Sequence, residues 1–348
     1  MNPIRISIVG HLLWESGCAH AILGYVRAAK SLGHDVRVST LSLLDDVIPK
    51  HLPIAGPEWT PDLLVIVFES YQFLSRAALK QLKTLAPRDR RIVMDNDGKY
   101  SATTCCLDDT NHPSENSRQQ WRETYDELSD RILQPTLGVP ANGARSFLFF
   151  GFDKHGPDAV SQPRPKAYDI AYIGSNWYRW RDLEWFIRSL EPIRAGLGRI
   201  ALFGKWWDGK PFAGLENYTF SDPSFLIKHR VEVNRSVPFG HVEETMANAR
   251  INPIFLRPAL RALQFVTPRM FETFKADTVP LLRPELAYTA SLYSNEILPS
   301  FLLDDPAHRV HFVLSHYDDM INRARKVSAR LREAHSYEAR IAELLRVV

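Results

Sequence analysis

Apolar runs of strand length alternate along this chain with longer stretches whose apolar positions recur every three or four residues. Ile4 to Val9 reads as a strand closed by Gly10, and the stripe Ala21, Ile22, Tyr25, Val26 and Ala29 predicts a helix from about Cys18 to Leu32, stopped by Gly33. Asp35-Val-Arg-Val-Ser-Thr40 predicts a second strand and Leu63-Leu-Val-Ile-Val-Phe68 a third, apolar on both faces as a buried parallel strand must be. An amphipathic stretch from Ser75 to Leu85 and the strand Arg91-Ile-Val-Met94 continue the alternation. Strand, helix, strand repeated in this way is the signature of parallel βαβ units, so the first half reads as a Rossmann-like sheet.

A polar segment from about Gly151 to Ala167, with Pro157, Pro163 and Pro165, interrupts the pattern and reads as a linker. Beyond it the pattern restarts: strand Asp169 to Ile173 closed by Gly174-Ser175, helix Trp180 to Leu190, strand Arg199 to Phe203 closed by Gly204, helix Val242 to Ala249, strand Ile251 to Phe255. A short helix from Arg269 then runs into the apolar strand ending at Leu282, and two helical stretches from about His316 to Leu345 meet near His335-Ser336. The fold class is therefore α/β, two Rossmann-like domains. Open parallel sheets bind ligands at the carboxyl ends of their strands, so the expected site is a cleft between the two facing halves.

Composition and charge narrow the partners. The 348 residues are 45% hydrophobic and 24% charged, the profile of an ordinary globular protein, and a formal net charge of +3 without a dense basic run does not call for a nucleic acid partner. No transmembrane segment is expected. Three cysteines, Cys18, Cys105 and Cys106, offer neither metal spacing nor a disulfide framework, which suits a cytoplasmic protein.

The densest candidate chemistry is Arg269-Met-Phe-Glu272. A carboxylate on the first turns of a helix at a sheet's carboxyl edge can accept two hydrogen bonds from the vicinal hydroxyls of a ribose, and Arg269, three residues earlier on the same face, offers a fork of donors to a diphosphate. The same two residues would equally make a surface ion pair.

Four blocks then occur in a telling order: Tyr168 to Ser175, Val237 to Asn252, the Arg269/Glu272 helix, and the ending His335 to Leu345. Together they resemble the C-terminal half of group 1 GT-B glycosyltransferases, in particular the CgeB-like (spore maturation protein) branch, and Phe150-Gly-Phe-Asp153 is similar to the turn by which those enzymes leave their first domain. The resemblance implies a GT-B arrangement: residues 1–155 as an acceptor domain, 156–167 as linker, 168–320 as the nucleotide-sugar domain, and 321–348 as helices crossing back onto the first domain. It implies a glycosyltransferase that moves a sugar from a nucleotide diphosphate sugar to a small-molecule or glycan acceptor, with no obligatory metal. By the same resemblance Glu272 holds the ribose, and Arg269, Gly174 and Ser175 face the phosphates. Arg179, Arg181 and Lys205 follow two strand ends of the same domain, where they would either neutralise the leaving diphosphate or stand as solvated surface charges, and Asn252 reads as a base or ribose contact or as a turn residue.

Two departures from that pattern stand out. Gln264 lies eight positions before Glu272, where many retaining relatives carry a second Glu, and Lys275-Ala-Asp277 replaces the usual small residue and Gly. They leave room for a non-catalytic nucleotide-sugar binding protein or an epimerase of the same fold. In the first half, His20, Glu15 and Asp97 are candidate bases for an acceptor, with His11 and Trp14 lining its site; each has a plain alternative, since Asp97-Gly98 is also a common turn pair. Asp95-Asn-Asp97 has metal-ligand spacing but falls in the half opposite the expected donor site. Trp177, Trp206 and Trp207 follow proposed strands, where an aromatic face can stack on a sugar or base or simply pack.

Overall fold

A computed structural model describes residues 3–11, 17–39, 52–56, 58–68, 74–101, 115–156, 165–238 and 240–347. The elements follow in order: β1 (Arg5–His11), α1 (Gly17–Ser31), β2 (Asp35–Ser39), β3 (Leu63–Phe68), α2 (Arg76–Leu85), β4 (Arg91–Asp95), α3 (Glu115–Leu128), β5 (Ile132–Gln134) and β6 (Ala144–Ser146). Then come β7 (Tyr168–Ile173), α4 (Trp180–Ser189), β8 (Ile200–Phe203), α5 (Glu216–Thr219), α6 (Pro223–Lys228), β9 (Val231–Asn234), α7 (Val242–Ala247) and β10 (Ala249–Ile254). The last stretch holds α8 (Pro258–Ala262), α9 (Arg269–Lys275), β11 (Val279–Leu282), α10 (Ala290–Tyr293), α11 (Pro306–Ser315), α12 (Tyr317–Ala334) and α13 (Tyr337–Val347).

The strands form two separate parallel sheets, ordered β2-β1-β3-β4-β5-β6 and β11-β10-β7-β8-β9. Both are doubly wound, and the direction of winding reverses between β1 and β3 in the first and between β7 and β10 in the second. Such reversals open a crevice at the strand ends, because the connections on either side leave in opposite directions. All six residues of β3 are buried, as the uninterrupted apolar run requires. Phe68 at its end stacks on Tyr125 at 4.9 Å and meets Trp121 edge-on at 5.5 Å, which seats α3 on the sheet.

The chain divides into two compact units. One holds the residues up to Gly156 with Ala262–Pro268 and the chain from Ala334 onward; the other holds Pro157–Arg261 and Arg269–Glu333. The segment before α9 belongs to the first unit by backbone pairing: Val266 N donates to Pro135 O at 2.6 Å and Leu137 N to Gln264 O at 3.1 Å. The sequence-derived start of the returning helices lies at 321, whereas α12 stays with the second unit through Glu333. Arg325 makes a two-pronged contact with Asp277 at 2.7 and 2.8 Å, and Arg330 Nε donates to Leu292 O at 3.1 Å. Of these two helices, α13 is the one that joins the first unit. Phe152 bonds His335 and Tyr337 through its backbone, buried Arg340 donates to Phe150 O at 3.2 Å, and the Tyr25 ring lies 5.1 Å from those of Phe149 and Tyr337. Among the described residues no helix is long and apolar enough to cross a membrane.

The α1–α13 contact depends on a missing side chain, since a Cβ on Gly24 would lie 2.2 Å from the Tyr337 ring. Gly24→Val is therefore expected to destabilise the first unit by about 1–3 kcal/mol, the usual cost of overpacking. Urea unfolding checks this, and a midpoint equal to the parent's would show that the two helices do not pack this closely.

Candidate functional site

In the second unit the loop that leaves β7 is built around small groups. Gly174 N donates to Phe203 O at 2.8 Å, and the fully buried Trp207 donates its indole N–H to Gly174 O at 2.8 Å. Gly204, just past β8, approaches so closely that a Cβ there would sit 2.3 Å from Gly174 O. Ser175 Oγ accepts from Lys205 N at 3.3 Å. The buried Asn176 amide donates to Phe220 O at 2.5 Å and to Trp206 O and Thr219 O, both at 3.2 Å. The loops after β7 and β8 are thus fastened to each other before either meets a ligand.

Arg179 stands at the winding reversal between β7 and β10. Its Nη1 donates to Ser175 O at 3.2 Å and Trp177 O at 3.1 Å, while its Nε reaches across to Phe255 O at 3.4 Å, just beyond β10. Burial pulls its pKa below the ordinary arginine value; Tyr172 acts in the opposite sense, and the positive charges of Arg257 and Arg269 deepen the depression. The positive charges of Arg257 and Arg269 are thus felt at Arg179.

Arg269 is bonded through Nη1 to Glu272 Oε2 at 2.6 Å. The side chains are 27% and 11% exposed, so the carboxylate is sheltered rather than turned into bulk water. Tyr293 fixes their helix by donating its hydroxyl to Met270 O at 3.0 Å. Asp182, in the first turn of α4, is bracketed by Arg261 at 3.1 Å and Arg283 at 2.7 Å. Its charge is also felt at Arg179, where it opposes the depression of the pKa.

The remaining donor candidates divide. Gly174 and Ser175 join Arg179, Arg269 and Glu272 at this edge, while Arg181 and Lys205 are exposed around it. Asn252 lies inside β10, 2% exposed, with its amide spent on Thr278 Oγ1 at 2.8 Å and Met246 O at 3.0 Å. That position ties α7 to the turn before β11, while the buried Oδ1 has no hydrogen-bond partner among the described residues. Arg257 was not singled out by sequence reasoning. Its one signal is its place just after β10, as Arg179 follows β7.

In the first unit the end of β4 carries two carboxylates with different jobs. Asp95 is fully buried and accepts four hydrogen bonds: from Lys99 N at 2.8 Å, Tyr100 N at 3.0 Å, Gln134 Nε2 at 2.8 Å and Tyr125 OH at 3.2 Å. Burial pushes its pKa up and those bonds oppose the shift. With its acceptor capacity filled it is a loop clamp and a poor metal ligand. Asp97, two residues on, lies 3.6 Å from the buried Lys99 ammonium, which sits 4.4 Å over the Trp121 ring. Asn96 donates to Cys18 Sγ at 3.1 Å and joins this loop to the start of α1, where His20 is partly buried. Glu15 and Trp14 lie outside the described residues, as does the His11 side chain, whose backbone ends β1 opposite Phe68. Among the described residues no group of three His, Cys, Asp or Glu could hold a metal ion.

Residues 179–346 match the sequence model of a family described as glycosyl transferase-like. No curated protein sequence matches the chain. Among solved structures, the T4 phage β-glucosyltransferase in complex with UDP and Mn2+ superposes with a TM-score of 0.63 at 16% identity, covering 99% of each chain. A mutant of the T4 phage enzyme with UDP-glucose gives 0.65 at 14% identity over 98% of each chain. An α-glucosyltransferase with UDP-glucose and DNA containing an abasic site gives 0.62 at 11% identity over 99% of each. At these identities the likeness shows the fold, that of the GT-B transferases. The family match over the second unit supplies the reaction class, and the protein is a glycosyltransferase built on the GT-B fold.

Proposed function

We propose that the donor is a nucleoside diphosphate sugar held along the ends of β7 and β10. The observation that carries this reading is the fixing of Arg179 on the carbonyls of Ser175, Trp177 and Phe255, at the ends of β7 and β10, together with the sheltered Arg269–Glu272 pair of the same edge. Such a cation is stabilised when an anion joins it, and guanidinium forks match phosphoryl oxygens in geometry. Glu272 accepts from the ribose hydroxyls, and the donors of Arg269 not bonded to it turn to the phosphates. Gly174 and Ser175 border the phosphates, with Arg181 and Lys205 as outer positive charges. UDP and UDP-glucose in the solved neighbours make uridine the first base to test.

Transfer breaks the bond between the anomeric carbon and the diphosphate as the acceptor oxygen attacks and loses its proton. The guanidiniums neutralise the charge that grows on the leaving diphosphate, which is where fixed positive charge lowers the barrier most. They fill the role a divalent ion plays elsewhere, so the scheme calls for no obligatory metal. Asp97 takes the acceptor proton, held in place by Lys99; His20 and Glu15 are the other candidate bases, and His11 and Trp14 border the acceptor.

We assign the chain to the CgeB-like branch on the order of its motifs, and to the cytosol on the spacing of its three cysteines, which offers no disulfide framework. The acceptor is a small molecule or glycan. One neighbour is described as a DNA modifying enzyme and another was solved with DNA, so a nucleic acid hydroxyl is the competing acceptor.

Thermal shift against UDP, GDP, ADP, CDP and TDP tests the donor site. A true product at about a hundred times its dissociation constant stabilises the protein by roughly 2.7 kcal/mol. Glu272→Ala is expected to remove most of that shift with the fold intact, and a variant that binds as tightly as the parent would sink the ribose assignment. Asp97→Asn is expected to lower kcat for UDP-glucose turnover by about 10²–10⁴-fold while UDP binding is unchanged. An unaltered kcat would pass the role to another group.

A further inference from the structure

We propose that Trp177 and Trp206 form a stacking site for the sugar ring carried by the nucleotide, a role that rests on the donor reading above. The two indoles lie on the loops after β7 and β8, with ring centroids 5.5 Å apart and planes inclined at 45°. Both are partly exposed, whereas the neighbouring Trp207 is fully buried and spends its N–H on Gly174 O. Trp177 meets Tyr178 edge-on at 5.7 Å and Trp206 meets Phe212 edge-on at 5.9 Å, yet each keeps part of its surface open.

The backbone around them is held at a cost. Trp206 has φ 62° and Tyr178 φ 58°, in the left-handed region that bulky residues avoid. Such conformations persist only where the surroundings over-determine them. Here Tyr178 N donates to Tyr218 O at 2.8 Å with the two rings 4.5 Å apart, and the Asn176 amide grips Trp206 O at 3.2 Å. Burying the two indoles does not explain the expense, because both remain open to solvent. Aiming them does.

Position selects the occupant. The Nη1 of Arg179, the central cation of the diphosphate site, donates to Trp177 O at 3.1 Å, so the platform is continuous with that site. In the sheet β10, β7 and β8 lie side by side. Glu272 follows β10, Arg179 follows β7 and Trp206 follows β8, which reproduces the order of ribose, diphosphate and glycosyl group along the donor. From β10 to β8 is roughly 10 Å at the usual strand spacing, a span that a diphosphate and a sugar ring together cover. A pyranose has one face of C–H bonds whose partial positive charge meets the negative face of an indole, and exposed Lys205 between Gly204 and Trp206 is placed to meet its oxygens.

Calorimetric titration of UDP and UDP-glucose into the wild type, Trp177→Ala and Trp206→Ala proteins tests the assignment. Each substitution is expected to weaken UDP-glucose at least tenfold and to leave UDP within twofold; Trp206→Phe, which keeps a ring, is expected to retain most of the affinity. Equal loss for both ligands would overturn the proposal in favour of a base or phosphate contact, and loss for neither would make the indoles structural or acceptor-facing. A wild type that binds neither ligand would sink the donor reading and this proposal with it. Should the alanine variants not fold, indole fluorescence of the wild type decides: a change with UDP-glucose beyond that given by UDP supports the stack, and identical spectra overturn it.

Discussion

The anchoring of the Arg179 guanidinium is the constraint on which the site of the second unit depends. A cation that gives up its hydration must be met by acceptors, and here they are neutral dipoles. Arg179 is fixed by the carbonyls of Ser175, Trp177 and Phe255, and Arg269 by Glu272. Those carbonyls are themselves set by the close crossing of Gly174 and Gly204 and by the indole of Trp207. The apparatus keeps positive charge in place when no anion is bound, so that little reorganisation remains when one arrives.

The first unit uses the same kind of sheet for the opposite chemistry. Its end of β4 carries carboxylates, one buried to shape a loop and one sheltered beside a lysine.

Much of this was legible in the chain. Strands β1, β3, β4 and β7 are apolar runs with glycine or polar stops, and they show themselves by burial on both faces. β5, β6 and β9 are three or four residues long. No periodicity can develop over such lengths, and these strands exist because the sheet edge beside them offers a ladder. The tether at 262–268 was also invisible, since it rests on backbone hydrogen bonds that any side chains would permit. In the site, Arg269 and Glu272 were readable as an i,i+3 pair, whereas Arg257 acquires meaning only once β10 is known to lie against β7. Asn252, a polar residue in an apolar strand, could be read as a ligand contact or as a turn residue; that its amide nitrogen bonds Thr278 and Met246 shows only once the fold is known. Asp95 and Asp97 share residue type and spacing, and only burial tells the clamp from the candidate base.

Helix α13 packs against Gly24 and Phe150, residues of the first unit that are separated from it by the whole of the second. During synthesis the first unit must therefore wait, incomplete, while the ribosome makes everything in between. The second unit is free to mature while still tethered to the ribosome, and the helix α1 surface stays uncovered until α13 emerges. Loss of α13 would thus be felt far back along the polypeptide, as a folding defect in the part translated first.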